Sequence, residues 1–184
     1  MKKNFISICL MSLLIFSCTF DYGESDDSER TLPDLIMKNV EYVRVRSADP
    51  IARIRAERIE RYEEQGIMTL ENFSFEQFIE RGEEVSTAGK AGFASVNIET
   101  IDIFMDRDVR IEVESEDITI KTTQLRWNNE QRLLSSGEET EVNIFRGDGT
   151  SFTGTGLRID ARRHSWEFSG PVHGTFITED DDGE

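Results

Sequence analysis

The stretch from Gln124 to Gly174 leaves a chain of this kind very little freedom. It reads QLRWNNEQRLLSSGEETEVNIFRGDGTSFTGTGLRIDARRHSWEFSGPVHG. Apolar and polar residues alternate in short runs, as at Leu125/Trp127, Val142/Ile144 and Trp166/Phe168. Alternation of period two marks strands with one buried face. Between the runs sit Asn128-Asn129, Ser136-Gly137 and Gly147-Asp148-Gly149, all turn-forming. No helix of ordinary length fits between them, so the expected architecture is an antiparallel meander.

The segment before it follows the same style. Ile101, Ile103 and Met105 alternate with Asp102 and Phe104; Val109, Ile111 and Val113 with Arg110, Glu112 and Glu114; Ile118 and Ile120 with Thr119 and Lys121. Asp106-Arg107-Asp108 and Ser115-Glu116-Asp117 are expected to be short turns between these runs. β-Branched residues on one face and charges on the other suit an antiparallel sheet with one wet side. Upstream, Asn39 to Ser47 also alternates. Pro50 to Tyr62 could stripe a helix, but a strand fits better because a similar unit follows. Ala52-x-x-x-Ala56 and then Met68-x-Leu70-x-x-Phe73-x-Phe75 resemble Ala88-x-x-Ala91 and then Ile103-x-Met105 and Val109-x-Ile111-x-Val113. A looser third copy runs from Gly156 to Val172. Repeated hairpin units without helices suggest stacked β-structure.

A particular order of residues carries a family resemblance. It comprises Leu125, Trp127, Leu133, Ser135, Ser136, Val142, Ile144, Asp148, Gly149, Gly154, Gly156, Leu157, Asp160, Trp166, Phe168, Gly170, Val172 and Gly174. Over these fifty residues the chain resembles the C-terminal half of the LptC family, the membrane-anchored periplasmic component of lipopolysaccharide export. The resemblance implies an all-β fold, an open, twisted antiparallel β-jelly roll or two-layer sandwich. It implies acyl chains of a glycolipid held inside that fold. It also implies two protein partners: an inner-membrane ABC transporter complex of the LptB/LptF/LptG kind, and a periplasmic LptA-like bridge protein that receives the cargo by edge-to-edge pairing. In the family the Gly-x-Gly strand lies near the end that meets the next bridge protein, which makes Gly154 and Gly156 candidates for partner docking.

The amino terminus reads as a lipoprotein leader, residues 1–18. Lys2 and Lys3 precede an uncharged apolar run from Phe5 to Ser17. A run of this length is short for a bilayer span, which takes roughly 20 residues, and suits a signal-peptide core. It ends Ile15-Phe16-Ser17-Cys18, similar to a lipobox, so Cys18 is the expected lipidation site and membrane anchor, the alternative being ordinary secretory cleavage that leaves Cys18 a plain thiol. The other cysteine, Cys9, lies inside the leader, so no disulfide is expected. Two or more acyl chains on Cys18 give stable attachment where one is marginal. Residues 19–34 are rich in Asp, Glu and Ser and read as a flexible tether. The folded domain is expected over 35–178, with an acidic tail over 179–184. The family role places the anchor on the periplasmic, outer leaflet of the inner membrane.

The formal charge of −16 opposes nucleic-acid binding, which needs a clustered positive field. Catalytic chemistry lacks candidates. His164 and His173 are the two histidines, too few and too far from other ligands for a metal site. There is no Gly-x-Ser-x-Gly elbow, and Gly147-x-Gly149 lacks the third glycine and the helix of a phosphate cradle. No enzyme activity, metal or cofactor is expected. Arg146-Gly147-Asp148 spells an adhesion tripeptide, but Gly-Asp-Gly is ordinary hairpin chemistry.

What remains is apolar surface. Candidates to line a lipid groove are Ile103, Met105, Val109, Ile111, Val113, Ile118, Ile120, Leu125, Trp127, Val142, Ile144, Phe152, Trp166 and Phe168. The sequence leaves alternatives: a closed β-sandwich lipoprotein with a scaffolding role and no cargo, or a surface adhesin.

Overall fold

The computed structural model describes residues 32–177. The leader, nearly all of the acidic tether and the acidic tail expected above lie outside the described residues. From Pro33 the described residues form one compact unit.

Twelve strands build it: β1 (Leu35–Arg46), β2 (Asp49–Tyr62), β3 (Ile67–Ile79), β4 (Glu84–Asn97), β5 (Ile103–Val113), β6 (Ile118–Asn128), β7 (Leu133–Ser135), β8 (Glu141–Arg146), β9 (Ser151–Thr155), β10 (Leu157–Asp160), β11 (Ser165–Phe168) and β12 (Val172–Thr175). Every pairing is antiparallel. β1 to β6 pair in sequence order, and the sheet then forks along β6. The Arg126–Asn128 end of β6 holds β7, followed by β10 and β11. The Ile118–Thr122 end holds β8, followed by β9 and β12. One helical alternative raised by the sequence, Pro50 to Tyr62, is the fourteen-residue strand β2.

The fork follows from a crease that crosses every strand. Its residues interrupt the regular ladder in a continuous line. Asn39 in β1 lies opposite Glu57 in β2, and Glu57 opposite Asn72 in β3, where the Asn72 amide donates to the Glu57 carboxylate at 2.7 Å. The line continues through Gly92 in β4, Arg107 and Asp108 in β5, Thr123 in β6, residues 136–140, Gly156, and residues 169–171. Asn39, Asn72, Arg107, Asp108 and Gly156 all have positive φ, between 47° and 68°. Asn tolerates this left-handed region better than most residues because its short polar side chain can hydrogen-bond locally.

The crease corrects one expectation. Asp106-Arg107-Asp108 is no turn between two strands. It is a bulge inside the single strand β5, where Arg107 and Asp108 together face one residue of β6 between the pairs Asp106/Gln124 and Val109/Thr122. The other proposed turn is real: Glu114–Glu116 is a short 3-10 turn closed by Asp117 at φ 50°.

The crease residue in each strand also shifts the period-two alternation. Inward residues on the two sides of the crease are three apart: Met37 and Val40, Ala56 and Ile59, Leu70 and Phe73, Ala91 and Ala94. Without that slip, the apolar face would turn outward at the bend. With it, both halves of each strand turn apolar residues into one shared core. The sheet therefore folds over on itself into two facing layers. One layer carries β7, β10 and β11; the other carries β8, β9 and β12. The open, two-layer antiparallel jelly roll expected from the sequence is the observed fold.

Candidate functional site

The interior between the layers is built from rows of directly paired residues that cross the strands. In the first layer one row runs Met68, Val96, Ile103, Trp127, Leu134, Ile159, Trp166. In the second, a row runs Ile54, Phe75, Gly89, Ile111, Ile120, Ile144, Phe152, Gly174. Gly89 is needed there because a β-carbon would strike the Phe75 ring. Both rows keep their apolar character from β2 or β3 to the last strands.

The structure brings the groove candidates together. Met105, Val109, Ile111, Ile120, Leu125, Val142 and Ile144 are buried in one cluster, and Ile103, Val113, Ile118, Phe152 and Phe168 pack against it. Trp127 is half-buried in the same row, with the Arg132 guanidinium 5.1 Å from its ring centroid. Trp166 also faces inward but remains 43% exposed. Residues from β2 to β4 and β10 complete the interior and were absent from the candidates: Ala56, Ile59, Leu70, Phe73, Ala91, Ala94 and Leu157. The run Met68-x-Leu70-x-x-Phe73-x-Phe75 held the signal, but its three-residue step reads as broken alternation unless the crease is known.

The layers touch directly near the last strands. Phe152 and Trp166, from opposite layers, have ring centroids 5.4 Å apart. The Phe168 ring crosses to lie on Gly154, where a β-carbon would come within 2.9 Å of it. At the tips, the His164 Nδ1 and a Glu116 carboxylate oxygen are 4.0 Å apart.

The two candidate docking glycines therefore have reasons inside the fold. Gly154 is buried beneath Phe168 and Val172. Gly156 sits on the crease at φ 68°, and a β-carbon there would collide with the Ser169 hydroxyl.

The outer faces have a different chemistry. Charges pair along and across strands: Arg53 with Glu76 at 3.0 Å and Arg55 with Glu41 at 2.7 Å. The hydrogen bond from Arg55 holds the Glu41 carboxyl below its usual range. Hydrogen bonds from Tyr62 and then Arg58 do the same for Glu60. Outward phenylalanines are covered by cations: Phe78 by Arg53, Phe93 by Arg107, Phe104 by Arg126 and Phe145 by Lys121, at 4.7 to 5.2 Å. A shallow outer cleft beside β7 and β10 is lined by Gln131, Leu133, Arg158, Asp160, Arg162 and Arg163. It is polar and would shield no hydrocarbon.

Among the described residues, Thr150 is the one buried polar residue, and no group of three or more His, Cys, Asp or Glu is placed to hold a metal. His164 and His173 are exposed. The interior thus offers apolar contact and almost nothing else.

A sheet folded this way has two free margins. β1 pairs only with β2 at one end; β11 and β12 form the other. Among the described residues no ladder joins the two ends. Leu35, Tyr42, Val43 and Val45 are exposed along β1, and Val172, Phe176 and Ile177 at the far margin.

Comparison with known proteins bears on this arrangement. Residues 5–177 match the family model described as lipopolysaccharide-assembly, LptC-related. An uncharacterised protein of Treponema pallidum (strain Nichols) is 23% identical over 168 residues, covering 89% of this chain and 84% of that protein. Among solved structures, the chain is similar to LptH of Pseudomonas aeruginosa, described as the LptA-homologous periplasmic component of a conserved lipopolysaccharide transport device. That match has a TM-score of 0.53 and 12% identity, covering 69% of this chain and 95% of the other.

Proposed function

Because the chain belongs to the LptC-related lipopolysaccharide-assembly family, we propose that it is a bridge component that carries glycolipid acyl chains between its two sheet layers. The observation that carries this reading is the apolar interior, whose rows of paired residues run across the strands from β2 or β3 to the last ones around one buried cluster. A lipid chain leaving a bilayer needs such shielding, because each methylene exposed to water costs about 0.8 kcal/mol. The cargo would be a lipopolysaccharide-like glycolipid. It would come from an inner-membrane ABC transporter and leave to a periplasmic LptA-like protein. The unpaired backbone of β1 and of β11 with β12 suits strand addition by those partners. A lipid on Cys18 would hold the domain at the periplasmic face of the inner membrane.

A second reading draws on the contacts between layers. Phe152 against Trp166 and Phe168 over Gly154 fill the space near the last strands, as a sandwich without cargo would. Photo-crosslinking in cells separates the two. A photoreactive residue replaces Ile103 or Trp127 in the interior, or Arg110 on the outer face, in the full chain. Transfer predicts crosslinks to glycolipid at Ile103 and Trp127 and none at Arg110. Silence at all three, with the protein folded and membrane-bound, would favour the cargo-free sandwich.

A further inference from the structure

We infer that Phe152, Trp166, Phe168 and Phe176 form an aromatic gate that closes the interior at the β11–β12 margin, and that Phe176 is the leaf that moves first. The inference rests on the transfer reading above and adds where passage is controlled.

Three observations support it. First, the four rings make a connected set that joins both layers. Phe152 of β9 meets Trp166 of β11 at 5.4 Å, Trp166 meets Phe168 edge-on at 5.9 Å, and Phe176 stands edge-on to Phe152 at 5.2 Å. Edge-to-face geometry at these distances is attractive. Second, the closure is made by side chains. Phe168 lies on the bare backbone of Gly154, and Phe152 lies within 3.1 Å of where a β-carbon on Gly174 would be. Rotating side chains can open it without breaking a ladder. Third, the rings become more exposed toward the margin. Phe152 and Phe168 are partly buried against the core, Trp166 is 43% exposed and Phe176 is 71% exposed. A core ring would be nearly dry. Phe176 instead lies beyond the end of β12, in a segment without ladder bonds, with its neighbour Ile177 resting over Gly149. At the opposite margin, no aromatic pair among the described residues bridges the layers beside β1.

The ligand class is a hydrocarbon chain, which would replace Phe176 against Phe152, next to Trp166 in the connected set. The gate thus controls passage at this margin, opening when a chain or an added partner strand displaces the leaf.

The test uses the full chain in lipid nanodiscs. Trp127→Phe leaves Trp166 as the single tryptophan, inside the gate. Stearate carrying a spin-label quencher near its methyl end is added, and Trp166 quenching is followed in time. The gate predicts saturable quenching that becomes faster and tighter in the Phe176→Ala background. The expected change is about 2- to 10-fold, the equivalent of one lost ring pair. If Phe176→Ala leaves rate and affinity unchanged while quenching still saturates, the gate is overturned and hydrocarbon entry stands. If no quenching occurs and Ile103 also captures no lipid in cells, the transfer reading falls, and the gate with it. Should Trp127→Phe misfold, fluorescent parinarate binding to the natural chain and to Phe176→Ala alone gives the same comparison.

Discussion

β1 to β6 cross the crease as unbroken strands of 11 to 14 residues, whereas β7 to β12 make the same crossing as pairs of strands 3 to 6 residues long. The geometric demand is the same in both regions: an apolar face must remain inward on both sides of a bend. The first region meets it within the strand: β1, β3 and β5 each place one or two residues in the left-handed conformation on the crease, and β2, β4 and β6 pair with them without any. The second region breaks the strand. β7 and β8 are separated by residues 136–140, β9 and β10 by Gly156, and β11 and β12 by residues 169–171. The comparison teaches that a long strand can bend without breaking where a long ladder holds it, as even the edge strand β1 does on β2. In the short ribbons after β6, glycine and loop insertions take over the work.

The sharpest way to break this comparison is to ask whether the two regions unfold together. Leu125 and Leu157 are both almost completely buried, one in each region. Leu125→Ala and Leu157→Ala should each destabilise by about 2–5 kcal/mol. If the crease binds both regions into one unit, each variant shifts a single urea transition. A separate early transition in Leu157→Ala alone would show that the last ribbons unfold by themselves.

A middle-sized effect compares the two crease devices. Gly156→Ala places a β-carbon at φ 68° against Ser169 and should cost roughly 1–3 kcal/mol. Asn72→Gly keeps the left-handed conformation available and loses the contact with Glu57. It should cost less than about 1 kcal/mol. Equal costs in thermal melts would mean that the bend does not depend on backbone freedom at Gly156.

The smallest effect is electrostatic and lies at the β8–β9 turn. The Thr150 amide donates to Asp148 at 2.8 Å, and this bond holds the Asp148 carboxyl below its ordinary value. Its folded pKa is therefore lower than its unfolded one. The stability it contributes is complete above the unfolded value and is lost as pH falls through the folded value. Asp148→Asn should lower the melting temperature slightly at neutral pH and converge with the natural chain in acid. A gap that widens in acid would refute this.

Much of the fold was legible because sheet formation leaves a local mark. Alternation at Ile103/Met105, Ile118/Ile120 and Val142/Ile144 identified strands and their inward residues, and Gly147-Asp148-Gly149 located a real turn. The crease was harder to read. Asp106-Arg107-Asp108 has the composition of a hairpin turn, yet it is a bulge. Nothing local distinguishes three polar residues that reverse a chain from three that bend it. The ladders of β4 and β6 on either side decide the matter. The same ladders give the three-residue step of Leu70-x-x-Phe73 its meaning, because it keeps both residues in the core across the crease.

The sequence by itself determined that this chain makes amphipathic strands and that its C-terminal half follows a lipopolysaccharide-assembly pattern. Those properties depend on residue type and on spacing between near neighbours. Tertiary structure alone decided that Phe152 meets Trp166, that Gly154 receives the Phe168 ring, and that Phe176 stands at the margin. Such contacts join residues from opposite layers, and they exist only once every strand has bent along the same line. Period-two alternation says which face of a strand is apolar; it carries no record of which other face will cover it.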